Sequence, residues 1–306
     1  MNMRHTFDAQ AALGFVESQR SHIENEVNAE PLPDIQYPFL TPVDTSAHPF
    51  TQTVEFYSSE LFGRAGWVNG NSDDIPLAGT ARAKHKSAVF MAAIGYGFGY
   101  EEINVAQMMG ANLQTEDAMA ARRAYEEFVD DVALRGDTEK GMSGLINHPS
   151  VTQASATTGN WATATEDQIL KDVNDAILGV ATGTNYTEMA DTLLLPFTKL
   201  SQLATVFRRD MTLMQLLQQS NSYTAMTGRP LNIRGVRGLE TAGAGSTNRM
   251  IAYRRDMGVL KLHIPMPHRF LPAYQDGPLN WVVPGVFRLG GLDIRRPKAV
   301  RYADGI

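Results

Sequence analysis

Five prolines, Pro31, Pro33, Pro38, Pro42 and Pro49, restrict this chain more than any other feature of its sequence. Each lacks a backbone N–H and fixes its own φ, so neither a continuous helix nor a central strand can cross "AEPLPDIQYPFLTPVDTSAHPF". What remains is an extended, stiffened arm. Such an arm gains order by lying on a surface, either a neighbouring domain or another subunit. Little of the helical and sheet core falls within it, so a chain lacking residues 1–45 is expected still to fold.

The next segments share that need. "QTVEFYSSELFGRAGWV" (52–68) and "IPLAGTARAKHKSAVFMAAI" (75–94) alternate loosely, with Val54, Phe56 and Ser58 on one face and Ala88, Phe90 and Ala92 on the returning limb. Asn69-Gly70 between them is a strong hairpin signal. The pattern predicts a long two-stranded ribbon, which alone is barely stable in water and needs a partner surface.

Residues 7–28 are mostly good helix formers without a clean apolar stripe, and "EEINVAQMMG" turns helical before Gly110. The strongest helical pattern follows. Thr115 is placed as its N-cap, Ala118, Ala121, Tyr125, Phe128 and Val132 recur on one face, and the helix runs to Leu134 with Gly136 as its stop. Glu126, Glu127, Asp130 and Asp131 fall largely on the opposite, solvated side. "TEDQ" (Thr165–Gln168) is a capping box for a second helix striped by Ile169, Val173, Ile177 and Val180. "DTLLLPFTKLSQLA" reads as a buried strand leading into a helix begun at a proline, and "MTLMQLLQQSN" as another helix. "LNIRGVRGL" and "RMIAYRRDMGVLKLHIPM" read as strands, and the closing "GVFRLGGLDIRRPKAVRYADGI" as a strand pair broken at Gly290-Gly291. The class is α+β.

At 306 residues and 43% apolar, the chain can bury a sizeable core as two packed domains, or as one with long insertions. It has no cysteine, which excludes disulfides and thiolate metal sites. No apolar run approaches the roughly 20 residues that cross a bilayer, and the first residues lack the core of a secretory signal. A soluble intracellular product without membrane contact is expected. The net charge of −6 is unevenly spread: residues 201–306 carry 15 Lys and Arg against 6 Asp and Glu, leaving +9 there and −15 on 1–200. That asymmetry suits a polyanion-facing surface or subunits pairing unlike faces.

Chemical motifs are incomplete. "GMSGLINHPSV" (141–151) places Ser143 between glycines and His148 shortly after, but the nucleophile elbow's last glycine is replaced by Leu145, and the segment follows a helix where the elbow needs a strand. "GAGSTN" and "GYGFGY" lack the third glycine of a dinucleotide fingerprint. His263 and His268 flank two prolines with no acidic residue close in sequence, so a packed or solvated role outweighs metal binding. No enzyme and no cofactor is indicated.

The order of parts carries more information than any motif. "GRAGWVNGNSDDIPLAG" (63–79), "GYGFGYEEINVAQMMG" (95–110), "ALRGD" (133–137), "GLINHPSV" (144–151), "DTLLLP" (191–196) and "RRPKAVRYADGI" (295–306) together resemble the major capsid proteins of tailed bacteriophages with the Hong Kong 97-like fold, in the small branch related to encapsulins. The resemblance implies an N-terminal arm at 1–47, an extended E-loop at 48–94, a peripheral domain at 95–150 with its spine helix at 115–134, an axial domain at 151–283, and return strands of the peripheral domain at 284–306. It makes "GMSGLINHPSV" the exit from the spine helix, with Leu145 and Ile146 tucked beneath it.

The same resemblance implies self-assembly through hexamers and pentamers into an icosahedral shell packaging double-stranded DNA without sequence specificity. By the same resemblance, portal, scaffold or decoration proteins are expected as further partners. The virion capsid would be the destination and the bacterial host cytoplasm the place of assembly. Candidate subunit-contact residues are Phe56, Phe62, Trp67, Pro38, Phe39, Arg295 and Arg296. An encapsulin-like compartment shares the fold, and a soluble hydrolase using Ser143 or His148 is the alternative from another class.

Overall fold

The strand Arg249–Tyr253 is buried along its whole length and separates two cores. Side chains alternate across a strand, so Ile251 and Tyr253 enter one core while Met250 and Ala252 enter the other. In the computed structural model, which describes residues 33–67, 70, 75–102, 104, 113–208 and 210–306, this strand is the centre of a five-stranded sheet. Thr192–Leu195 and Asn232–Gly235 lie on one side of it, and Val300–Asp304 and Thr152–Ser155 on the other. "TLLL" is continuous rather than alternating because both of its faces are covered.

One core holds the helices. The capping box at Thr165 forms as its sequence predicts, and Glu166–Gly183 buries Ile169, Val173, Ile177 and Val180 against the sheet. Pro196 starts Phe197–Thr205, and a second capping box, Thr212 with Gln215, starts Leu213–Gln219.

The other core lies under a long helix, Leu113–Arg135. It begins two residues before the expected cap, so Thr115 falls within the helix. Ala121, Tyr125 and Val132 are buried as the stripe predicts, but Phe128 is 43% exposed, and Val129 and Ala133 take the centre of the contact. The apolar face is rotated by one position because the helix also has to bury Asp130. That residue is 3% exposed, which corrects its assignment to a solvated face.

The buried carboxylate belongs with the proline arm. Tyr37–Leu40 forms one helical turn whose start is gripped by Asp130: the amides of Gln36 and Tyr37 donate to Oδ1 at 2.9 and 2.7 Å. Tyr37 Oη donates to Glu126, Tyr253 Oη donates to the Leu40 carbonyl, and Val43–Asp44 pairs in parallel with Leu262–His263. Tyr37, Leu40 and Thr41 are buried. This stretch of arm therefore lies on its own chain, and the expectation that 1–45 can be removed without touching the core is overturned.

The ribbon forms in register from Thr53 opposite Ala88 to Phe62 opposite Gly79. Its returning limb stops at Ala88; Phe90–Ala93 is a separate strand that pairs with Gly285–Leu289 in another sheet. The C-terminal strand pair is likewise corrected. Gly285–Leu289, Gly291–Ile294 and Val300–Asp304 are three strands in three different sheets, with Gly291 (φ +71°) turning the chain between the first two. The expected helices at 7–28 and through Gly110, and the Asn69-Gly70 turn, lie wholly or largely outside the described residues.

Candidate subunit-contact surface

Near its root the ribbon is held by its own chain. Phe56 stacks on its cross-strand partner His85 (ring centroids 4.7 Å, 15° between planes), and the Arg295 guanidinium sits 4.6 Å from the Phe56 ring centre. Arg295 also donates to Asp293 at 3.2 Å. Two predicted contact residues are thus brought together, but on each other. Arg296, with Arg254, is hydrogen-bonded to the buried carboxylate of Glu188, so a third candidate also has a partner within the chain.

Farther out the ribbon has no cover. Tyr57, Leu61 (83% exposed), Phe62, Trp67 (fully exposed), Ile75 and Leu77 (85%) all stand in solvent. Among the described residues the two strands pair only with each other, and the exposed Leu61 and Phe62, adjacent in one strand, show that neither face is covered there. That is why sequence reasoning missed Tyr57, Leu61, Ile75 and Leu77. Period-2 alternation marks a buried face only where a second layer exists. Pro38 and Phe39 are exposed as well, Phe39 beneath the Arg234 guanidinium at 5.1 Å.

Ser143 and His148, considered for catalysis, lie on the turn that closes the end of the long helix. Gly136 (φ +77°) ends the long helix, and the chain returns so closely that a Cβ on Gly144 would lie 2.2 Å from the Leu134 carbonyl oxygen. Leu145 and Ile146 amides donate to the Ala133 and Leu134 carbonyls, and Asn147 accepts from Gly144 N while donating to the Arg135 carbonyl. These bonds satisfy the carbonyls that every helix end leaves open. No hydrogen bond joins Ser143 to His148. The His148 ring accepts instead from Ser150 N at 3.3 Å, and burial lowers its pKa, with Asp293 opposing.

Arg249, buried with Asp304 in a two-pronged pair of 2.6 and 2.8 Å, donates a third bond to the Ile146 carbonyl and so ties this turn to the C-terminal strand. His263 is enclosed between Asp44 and Asp293 at 3.6 and 3.5 Å, and His268 stacks on Tyr125. Among the described residues no group of three His, Asp or Glu is placed to hold a metal ion, and no helix is long and apolar enough to cross a membrane.

The chain thus combines two filled cores with a two-stranded ribbon and exposed apolar side chains along and beyond it. The sequence model of the family described as Major capsid protein matches residues 63–306. The chain belongs to the major capsid protein family.

Solved structures agree on the fold of this capsid protein. It is similar to the capsid of Myoviridae phage XM1 (TM-score 0.80, 17% identity, 94% of this chain and 98% of that one). It is similar also to a chain from Mycobacterium phage Bobi (TM-score 0.64, 14% identity, 93% and 95%). A virus-like particle from Pyrococcus furiosus is less alike (TM-score 0.53, 11% identity, 87% and 91%). No curated protein matches the sequence. The fold is Hong Kong 97-like α+β, and the protein is a structural subunit that associates with its own copies in the capsid of the virion. The encapsulin-like alternative is not favoured.

Proposed function

We propose that residues 48–94 act as the E-loop of this capsid protein and that the outer half of the ribbon is the surface a neighbouring subunit covers. One observation carries the reading: six large apolar side chains, Tyr57, Leu61, Phe62, Trp67, Ile75 and Leu77, are exposed on and just beyond a ribbon that no other described strand pairs with. Monomers seldom leave so many large apolar side chains together in water, and burying each on a neighbour contributes about 1.5–3 kcal/mol. Pro38 and Phe39, exposed on the 1–47 arm, extend the contact.

In this reading Leu113–Arg135 is the spine helix of a peripheral domain made of 95–150 and 284–306, and 151–283 is the axial domain. Hexamers and pentamers build an icosahedral shell around double-stranded DNA, bound through charge rather than sequence. The basic balance of residues 201–306 supports that role. Portal, scaffold and decoration proteins are the further partners, and assembly takes place in the host cytoplasm.

The test replaces Leu61 and Trp67 with lysine. Subunits should keep the urea midpoint of the unaltered protein, while light scattering and negative-stain images show no shells. Shells at normal yield would remove the ribbon from the contact.

A further inference from the structure

A cavity of about 490 Å³ lies at the root of the ribbon, between its returning strand, the turn at 140–150 and the segment 290–297. Its charges do not balance. Lys84 and Lys86 share a single carboxylate, Glu55, at 2.6 and 3.5 Å. Arg295 is matched by Asp293 at 3.2 Å. Among the described residues Lys140 has no carboxylate within ion-pair distance; its ammonium stands 5.4 Å from the centre of the Phe90 ring. One ribbon lysine and Lys140 are therefore in surplus.

The neutral donors point to the same chemistry. Ser143 and Ser150 line the cavity, and their hydroxyls make no hydrogen bond among the described residues. His148 accepts from Ser150 N through Nδ1, which leaves the ring proton on Nε2 as a donor. Surplus cations and unused N–H and O–H donors in one concavity are complementary to an oxyanion, which accepts from all of them.

We propose that this cavity is an oxyanion site, taking a phosphate or carboxylate group between Lys86 on the ribbon and Lys140, Ser143, Ser150 and His148 on the body. A group held from both sides fixes the angle at which the ribbon leaves the subunit. The site does not depend on which surface the ribbon tip meets. Two sources supply the chemistry: free phosphate, or an acidic side chain of a second copy of this chain.

The experiment separates them. Thermal midpoints of dissociated full-length subunits are compared in sodium phosphate and in sodium chloride of equal ionic strength, for the unaltered protein and for Lys140→Gln. Free phosphate as ligand gives a midpoint that rises with phosphate, and a half-saturating concentration about tenfold higher in the variant. An acidic group from a second copy gives no phosphate response in subunits. It predicts instead that Lys140→Glu assembles at least about tenfold less well at an unchanged subunit midpoint, with Lys140→Arg restoring assembly. The proposal is overturned if phosphate stabilises both proteins equally, or if it stabilises neither and Lys140→Glu assembles normally. Shells of the unaltered protein in the same images keep this result separate from the shell function itself.

Discussion

Asp130, well along the longest helix, accepts the amide of Tyr37 at 2.7 Å across 93 residues of sequence. The same carboxylate takes the Gln36 amide and faces the Arg237 guanidinium at 3.1 Å. Changing Asp130 to Ala leaves two backbone donors without their acceptor and should cost about 2–4 kcal/mol. Asp131→Ala loses only an exposed pair with Arg135 and should stay within about 0.5 kcal/mol. Urea unfolding of dissociated subunits measures both. Equal effects would mean the arm is not anchored through Asp130.

The turn after the long helix should tolerate less than its loop-like sequence suggests. Gly144→Ala drives a methyl group into the Leu134 carbonyl and should cost about 3 kcal/mol or more. Asn147→Ala removes two hydrogen bonds and should cost about 1–3 kcal/mol. Ser143→Ala should leave the melting temperature nearly unchanged. Thermal melts of the three variants give the ranking, and a neutral Gly144→Ala would contradict the close approach.

Tyr125 and Phe128 both meet Phe287 edge-on, at 4.8 and 5.7 Å between ring centres, yet only Tyr125 is buried. Tyr125→Ala should cost about 3–5 kcal/mol, and Phe128→Ala less than half as much in the isolated subunit. A denaturant series resolves the difference. A Phe128 change that weakens shells more than subunits would place its exposed edge in a contact between subunits.

Stability should fall with acid in two stages. Burial depresses the His148 pKa, so the folded state favours the neutral ring. Its contribution is complete above the unfolded value of about 6.5 and is lost as pH falls through the folded one. For Asp44 and Asp293, burial works to raise the pKa, but polar partners outweigh it: Lys261 and Ser46 donate to Asp44, and the His263 ring beside Asp293, with the Arg295 hydrogen bond, lowers Asp293. Their contribution is complete above about 3.9 and lost below it. Urea midpoints across pH should show both slopes, and His148→Gln should flatten only the upper one.

Assembly should weaken as salt rises. The opposite balances of residues 1–200 and 201–306 favour contacts between unlike regions of neighbours, and each exposed pair contributes about 0–1 kcal/mol, screened over about 8 Å at physiological ionic strength. Apolar ribbon contacts respond oppositely or hardly at all. Light scattering across a chloride series should therefore show assembly of the unaltered protein falling as chloride rises. Assembly indifferent to salt would assign the shell to apolar contacts alone.

The sequence by itself determined what depends on neighbours along the chain. Capping at Thr165 needs only Gln168, the stop at Gly136 needs only a left-handed φ, and the ribbon's two limbs are close in sequence and pair with each other. The same locality let ordered fragments such as "GLINHPSV" and "DTLLLP" mark the family. Tertiary structure decided which polar groups are buried and which apolar ones are not. Asp130 reads as surface until the amides of Gln36 and Tyr37 reach it, and Phe56 and Arg295 read as separate contact residues until the fold stacks one on the other. Leu61 and Trp67 carry the hydrophobicity of core residues but remain in water, because burial requires a second layer and none of the described residues supplies one.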